Sequence, residues 1–164
     1  MMLRYLSIAA LVVVADQLTK WAALKYLVRH VEVAVVPFLN LTLAYNRGAA
    51  FSFLSDAGGW QNAFFSTVAA VACAVIIYML YRTRGRDPLL AFGLVFILGG
   101  AIGNLIDRLL YGHVIDFIDV YYRHWHWPTF NIADSAITVG AVMLILDALG
   151  FKPGSAGAKS NSSS

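Results

Sequence analysis

The sequence predicts a membrane protein that is mainly α, with four transmembrane helices and a small β-sheet between helices 1 and 2 on the outer side of the membrane. Three observations predict it. Of 164 residues, 60% are hydrophobic and 13% charged, where a soluble domain carries about a quarter charged residues. Apolar runs at about 3–28, 60–81, 88–111 and 130–149 are long enough to cross a bilayer. Between the first two, residue character alternates with a period of two, which is strand patterning over about 31–54. Residues 1–150 read as one domain, and the Gly/Ser-rich stretch 151–164 as a disordered polar tail.

The first run carries Arg4 near its start and partly imitates a signal peptide. No small-x-small cleavage site precedes Asp16, and the apolar character resumes through WAALKYLV, so a retained span is expected. Asp16 and Lys20 are four apart and share a helix face, acid first, which is the favourable order. An ion pair that lets two charges stay in the membrane fits, and so does a lysine facing substrate or a lipid headgroup.

In the β-rich segment Leu39, Leu41, Leu43 and Tyr45 alternate with Asn40, Thr42, Ala44 and Asn46. Pro37 confines the strand's start to an edge or irregular position. Asn46-Arg47-Gly48 supplies turn chemistry, and Ala49–Phe53 can return as a second strand. The second span, about 60–81, has Trp60 at one interface and Tyr78 and Tyr81 at the other, and ends in the basic cluster Arg82–Arg86. Short basic loops stay inside, so that cluster sets the orientation: both termini inside, 31–58 and 111–129 outside.

In the third span Gly99, Gly100 and Gly103 form a small-residue face of the kind that lets helices approach closely. Asn104, Asp107 and Arg108 follow. The fourth run opens on Asn131 and Asp134, and the short aromatic connector before it holds Asp116 and Asp119. At ~1.5 Å per residue, Asp16 and Lys20 lie ~20–25 Å along the first span and Asn104 and Asp107 ~22–27 Å along the third. Asn131 and Asp134 lie within roughly 6 Å of the fourth span's outer end. Three spans thus place their polar residues in one layer toward the outer face, into which the Asp116 connector empties. Ionisable groups in spans are costly, and convergence of this kind marks a site.

Two carboxylates facing one water can share a proton, one acting as base and the other donating to a carbonyl. Asp116 and Asp134 are the best pair geometrically. Structural alternatives stand beside it: Asn131 and Asp134 match a capping box, Asp116 and Asp119 can be solvated loop acids, and Asp107 can pair with Arg108. Other chemistries lack their residues. Cys73 is the lone cysteine, no HExxH or Cys/His ligand set occurs, and His124 and His126 sit in an interfacial aromatic belt. Ser135 has no lysine or histidine at an obvious spacing, and no phosphate-cradling glycine loop occurs. A net charge of +3 is too small and dispersed for nucleic acid.

The segments Asp16-Gln-Leu-Thr-Lys20, Asn46-Arg-Gly-Ala-Ala-Phe51, Gly103-Asn-Leu-Ile-Asp-Arg108, Val114-Ile-Asp-Phe117 and Phe130-Asn-Ile-Ala-Asp-Ser135 resemble, in this order, the bacterial lipoprotein signal peptidases (signal peptidase II). The resemblance covers about Leu3 to Gly150. It implies an aspartic endopeptidase of the bacterial inner membrane that cuts prolipoproteins just before a cysteine already carrying diacylglycerol. It implies Asp116 and Asp134 as the catalytic pair, and Asp16, Lys20, Asn46, Gly48, Asn104, Asp107, Arg108 and Asn131 as substrate-binding or site-supporting residues. It further implies a periplasm-facing site, contact with membrane lipids, binding of the peptide antibiotic globomycin, and no cofactor or metal. Where the family commonly has another residue between Asn46 and Gly48, this chain has Arg47. The competing reading is a small transporter or channel with an Asp/Lys relay, whose polar residues should continue to the inner face; here the inner halves of spans two to four are apolar until Asp147.

Overall fold

The computed structural model describes residues 2–48, 60–83 and 87–151. Four helices carry the bulk of the chain: α1 (Met2–Tyr26), α2 (Trp60–Thr83), α3 (Pro88–Tyr111) and α4 (Ile132–Ala148). Four strands complete it: β1 (Val33–Val36), β2 (Leu39–Asn46), β3 (Val114–Tyr122) and β4 (Trp125–His126). The first three helices are long and apolar enough to cross a membrane. With 17 residues, α4 is at the short end of the spanning range.

The bundle is organised on α3, which packs against each of the other helices. Its start is fixed by Asp87, whose side chain accepts from the Leu90 N–H at 3.3 Å, with Pro88 opening the helix. Its end is fixed by Gly112 in the left-handed region at φ 74°, a conformation glycine adopts without strain. The glycine face expected along it does bring backbones together. A Cβ on Gly99 would meet Val12 and Ala9 of α1, and one on Gly100 would meet the Ala133 carbonyl of α4. Leu94, Val95 and Leu98 fill the centre with Ala9, Cys73, Ile76 and Leu80. Leu11, Val14, Leu18, Val68, Val71, Val75 and Val142 are exposed around the outside, as side chains that face lipid rather than water are.

The strands form one antiparallel sheet in the order β1-β2-β3-β4. The β1–β2 hairpin turns through Pro37 and Phe38, the latter at φ 73°. The sheet between helices 1 and 2 is present, and its strand pattern over Leu39–Asn46 holds. The segment 111–129 differs from expectation. It is not a loop connector: β3 spans nine residues of it and pairs with β2 from Asn46↔Val114 to Leu39↔Val120. Val114, Ile115, Phe117, Ile118, Val120, Tyr121 and Tyr122 are β-branched or aromatic, which suits a strand covered on both faces. The second strand expected over Ala49–Phe53 lies outside the described residues, as do Arg84–Arg86 of the basic cluster and 152–164 of the tail.

Candidate active site

The site lies where the C-terminal ends of α1, α3 and β2, the start of α4 and the first half of β3 meet. Its central charges, Asp16 and Lys20 of α1 and Asp107 of α3, are almost completely buried. Lys20 Nζ lies 2.8 Å from Asp16 Oδ2 and 2.7 Å from Asp107 Oδ2, and donates to Asn104 Oδ1 at 3.0 Å. Those three acceptors occupy all three ammonium protons. The Asp16–Lys20 pair is therefore as the four-residue spacing predicts. The partner of Asp107 is not: it pairs with Lys20 across the helix interface and not with Arg108. Consecutive helix residues point about 100° apart, so Asp107 faces α1 while Arg108 turns toward α2. There the Arg108 guanidinium sits over the Phe65 ring at 5.5 Å, and Asn62 Nδ2 donates to the Arg108 carbonyl at 3.1 Å.

Further hydrogen bonds tie each element to the next. Asp16 Oδ1 accepts from the Ala133 N–H at 2.9 Å, joining α1 to the first turn of α4. Asp107 Oδ2 accepts from the Ile115 N–H at 3.0 Å, joining the end of α3 to the start of β3. Gln17, a residue the sequence did not single out, donates to Asp107 Oδ1 at 2.9 Å and to the Gly103 carbonyl at 3.2 Å. A Cβ on Gly103 would sit 2.5 Å from Asp16 Oδ2, so only glycine leaves room for this carboxylate.

Asn131 is fully buried and serves as the N-cap of α4. Its Oδ1 accepts from the Asp134 N–H at 2.9 Å, and Asp134 Oδ2 accepts from the Asn131 N–H at 3.3 Å, which completes the capping box. The same Asn131 reaches across with Nδ2 to Asp116 Oδ1 at 2.7 Å, Asn104 Oδ1 at 3.1 Å and the Ile115 carbonyl at 3.2 Å. Asn104 Nδ2 in turn donates to Asp134 Oδ1 at 2.8 Å. Capping and site geometry are thus carried by one residue. Phe130 fixes the approach, exchanging backbone hydrogen bonds with Ile118 at 2.8 and 3.1 Å.

Asp116 is 1% exposed and Asp119 3% exposed, so neither is a solvated loop acid. Three positions apart on a strand, the two project to opposite faces. Asp116 meets Asn131 and Asn46 on the bundle side. Asp119 meets Asn40 at 3.1 Å and the half-exposed His126 at 2.9 Å on the other side. Burial first, and the charge of Asp134 second, push the Asp116 carboxyl up to about 7. Asp134 is half-buried at the mouth of the site. Asn46 is held by its own turn, its Oδ1 accepting from the Gly48 N–H at 2.8 Å. Gly48 has φ 97°, and a Cβ there would strike the Phe65 ring. Arg47 is exposed and lines a cavity of about 310 Å³ with Gln61, Asn62, Tyr111 and Gly112.

Among the described residues, one set of side chains has metal-ligand character. Glu32, Asp119 and His126 bring ligand atoms within 4.8 Å of one another. They lie on the sheet face away from Asp116, and Asn40 Nδ2 already bridges Glu32 and Asp119 at 3.2 and 3.1 Å. Ser135 Oγ donates to the Asn131 carbonyl at 3.0 Å, a bond internal to the helix start.

All ten residues expected at the site are described, and five elements, α1, β2, α3, β3 and α4, bring Asp16, Lys20, Asn104, Asp107, Asn131, Asp116, Asn46 and Asp134 into one linked network. The profile of the family described as "Signal peptidase (SPase) II" matches residues 8–150. The chain belongs to the signal peptidase II family. It is 56% identical over 145 residues to the lipoprotein signal peptidase of Burkholderia mallei (strain SAVP1), covering 88% of this chain and 87% of that one. To the lipoprotein signal peptidase of Polynucleobacter necessarius subsp. necessarius (strain STIR1) it is 52% identical over 144 residues, 88% of each chain. Two solved structures, described as "Bacterial membrane enzyme structure by the in meso method" at 1.9 and 2.3 Å resolution, share the fold with TM-scores of 0.78. Their identities are 32% and 30%, covering 89% and 98% of this chain and 92% and 94% of those chains. The family is one of membrane aspartic proteases that process prolipoproteins, and the transporter reading is not favoured.

Proposed function

We propose that Asp116 and Asp134 are the catalytic pair of this peptidase. The observation that carries the reading is the shared asparagine: Asn131 bonds Asp116 through Nδ2 and caps Asp134 through Oδ1. Each carboxyl bonds the same asparagine and the charge of Asp134 raises that of Asp116, and two carboxyls so coupled share one proton. A water between them gives one proton to the ionised member while its oxygen attacks the scissile carbonyl carbon. The neutral member passes its proton to the carbonyl oxygen. The tetrahedral diol then collapses: one hydroxyl gives its proton to the ionised member as the carbonyl re-forms, the C–N bond breaks, and the leaving amine takes the proton held by the other member, which restores the pair. Asn104 and Asn131 orient the pair, Arg108 and Asn46 flank it, and Asp16, Lys20, Asp107 and Gly48 hold the surrounding backbone.

The substrate on this reading is a prolipoprotein whose cysteine carries diacylglycerol, cut just before that cysteine. The enzyme sits in the bacterial inner membrane as one domain over residues 1–150, both termini cytoplasmic and the site toward the periplasm. Depth supports this, since the polar network occupies the late turns of α1 and α3 and the first turn of α4. The sheet supports it too. Val33, Val35, Val36, Phe38, Tyr122, Trp125 and Trp127 are exposed, an apolar and aromatic surface suited to lying at the lipid boundary beside a lipidated cysteine. Globomycin-type peptides compete for the same cleft.

The decisive experiment is incubation of purified protein with one precursor, with and without its diacylglyceryl group. Cleavage of the lipidated form alone is expected. Asp116→Asn and Asp134→Asn should each abolish it while the folded helix content stays, and substantial turnover by either variant would sink the pair.

A further inference from the structure

We propose that Lys20 is a positioning residue that sets the direction of the Asn104 amide, so that Asp134 is the ionised base and Asp116 carries the proton. The inference rests on the catalytic pair proposed above and adds which member does what. Asn104 has one acceptor end and one donor end. Its Oδ1 faces two donors, Lys20 Nζ at 3.0 Å and Asn131 Nδ2 at 3.1 Å. A reversed amide would aim its NH₂ at an ammonium and a second NH₂ group, so the observed direction is enforced. Nδ2 must then point to Asp134, and it donates to Oδ1 at 2.8 Å.

Asp134 therefore accepts on both oxygens, from Asn104 Nδ2 and from the Asn131 N–H, at a helix N-terminus where negative charge is favoured. Asp116 also accepts, from Asn131 Nδ2 at 2.7 Å and from Asn46, but it is almost fully buried where Asp134 is only half-buried, and burial favours the neutral acid. Its titration near 7 agrees. The charged groups around Asn104 are Asp16 and Lys20 from α1, Asp107 and Arg108 from α3, Asp116 from β3 and Asp134 from α4. Lys20 is the one whose bond fixes the amide; Arg108 reaches only the Asn104 carbonyl, at 3.5 Å.

Lys20→Met alone strands two buried carboxylates and is expected to unfold the protein. The test uses Lys20→Met/Asp16→Asn, which keeps one net negative charge in the cluster, beside Asn104→Ala, which leaves the ion network whole. Each is purified in detergent and its kcat, KM and pH profile measured on a lipidated precursor. The double variant should lose roughly tenfold or more in kcat with KM within about twofold. Its acid limb should move to higher pH, because the base loses a hydrogen bond that favours its ionised form. Asn104→Ala should do the same, and the Lys20 change should cost nothing further on that background.

An unmoved acid limb in Asn104→Ala, or losses from the two sites that simply add, overturns the inference. If Asp116→Asn or Asp134→Asn keeps activity, the catalytic pair itself is wrong. If both are inactive while the Lys20 and Asn104 variants behave as the parent, only the role of Lys20 falls.

Discussion

Asn131 Nδ2 lies 2.7 Å from Asp116 Oδ1, although one residue caps a helix and the other sits in mid-strand. One amide thereby sets both the start of α4 and the place of a carboxyl on β3. Asn131→Ala should cost about 1 kcal/mol through the lost cap and roughly 100-fold or more in kcat through the lost donor. Asn131→Asp keeps a cap acceptor but turns a buried oxygen toward Asp116 Oδ1, Asn104 Oδ1 and the Ile115 carbonyl, so its melting temperature should fall further than that of Asn131→Ala while its activity falls as far.

The elevated Asp116 carboxyl should make stability depend on pH and, if Asp116 is a catalytic acid as proposed, activity too. Folded, the group titrates at about 7, whereas its ordinary value is 3.8. Between those values the folded protein holds a proton that the unfolded chain has lost, so stability declines as pH rises through that window. Activity that needs the neutral acid should fall as pH passes about 7. Thermal unfolding in detergent at pH 5 and pH 8 should show the decline, and Asp116→Asn, which cannot ionise, should flatten it.

His126 and Asp119 close the far edge of the sheet, and their contact should weaken with alkali. The hydrogen bond to Asp119 raises the imidazole above its ordinary 6.5. Its contribution is therefore complete below that value and is lost as pH rises through the raised one. Hydrogen exchange at the Trp127 amide, which bonds the Val120 carbonyl at 2.8 Å, should quicken above neutrality beyond the intrinsic rate change. His126→Ala should remove that excess.

Gly103 should tolerate no side chain. Gly103→Ala places a methyl 2.5 Å from Asp16 Oδ2, and Asp16 cannot retreat, being held by Lys20 and by the Ala133 N–H. A cost of about 1–3 kcal/mol is expected, read as a lowered melting temperature. Activity per folded molecule should fall too, since the same carboxylate anchors the start of α4.

The helices were legible because membrane spans announce themselves by uninterrupted apolar length, and β2 because its leucines alternate with polar residues. The strand β3 was hidden by its aspartates. Asp116 and Asp119 read as solvent-facing charges, yet each is buried against partners from distant sequence, Asn131 and Asn46 for one, Asn40 and His126 for the other. The run of β-branched and aromatic residues around them was the available signal. Asp107 went to the wrong partner because adjacency in sequence stood in for adjacency in space. Gln17 left no local signal at all, since its contacts with Gly103 and Asp107 arise only when α1 and α3 pack. The resemblance of five short segments, in contrast, picked out the residues that the structure links together.

The 2.9 Å bond from the Ala133 N–H to Asp16 joins the first helix of the chain to the last. On the ribosome these two residues are made 117 positions apart, and Asp134 emerges directly behind Ala133. If Asp116 and Asp134 are the catalytic pair, as proposed above, a nascent chain that ends before α4 holds only one of the two carboxyls. On that reading cleavage waits for the last helix to dock against the first, and a protein truncated before Asn131 should leave a lipidated precursor uncut.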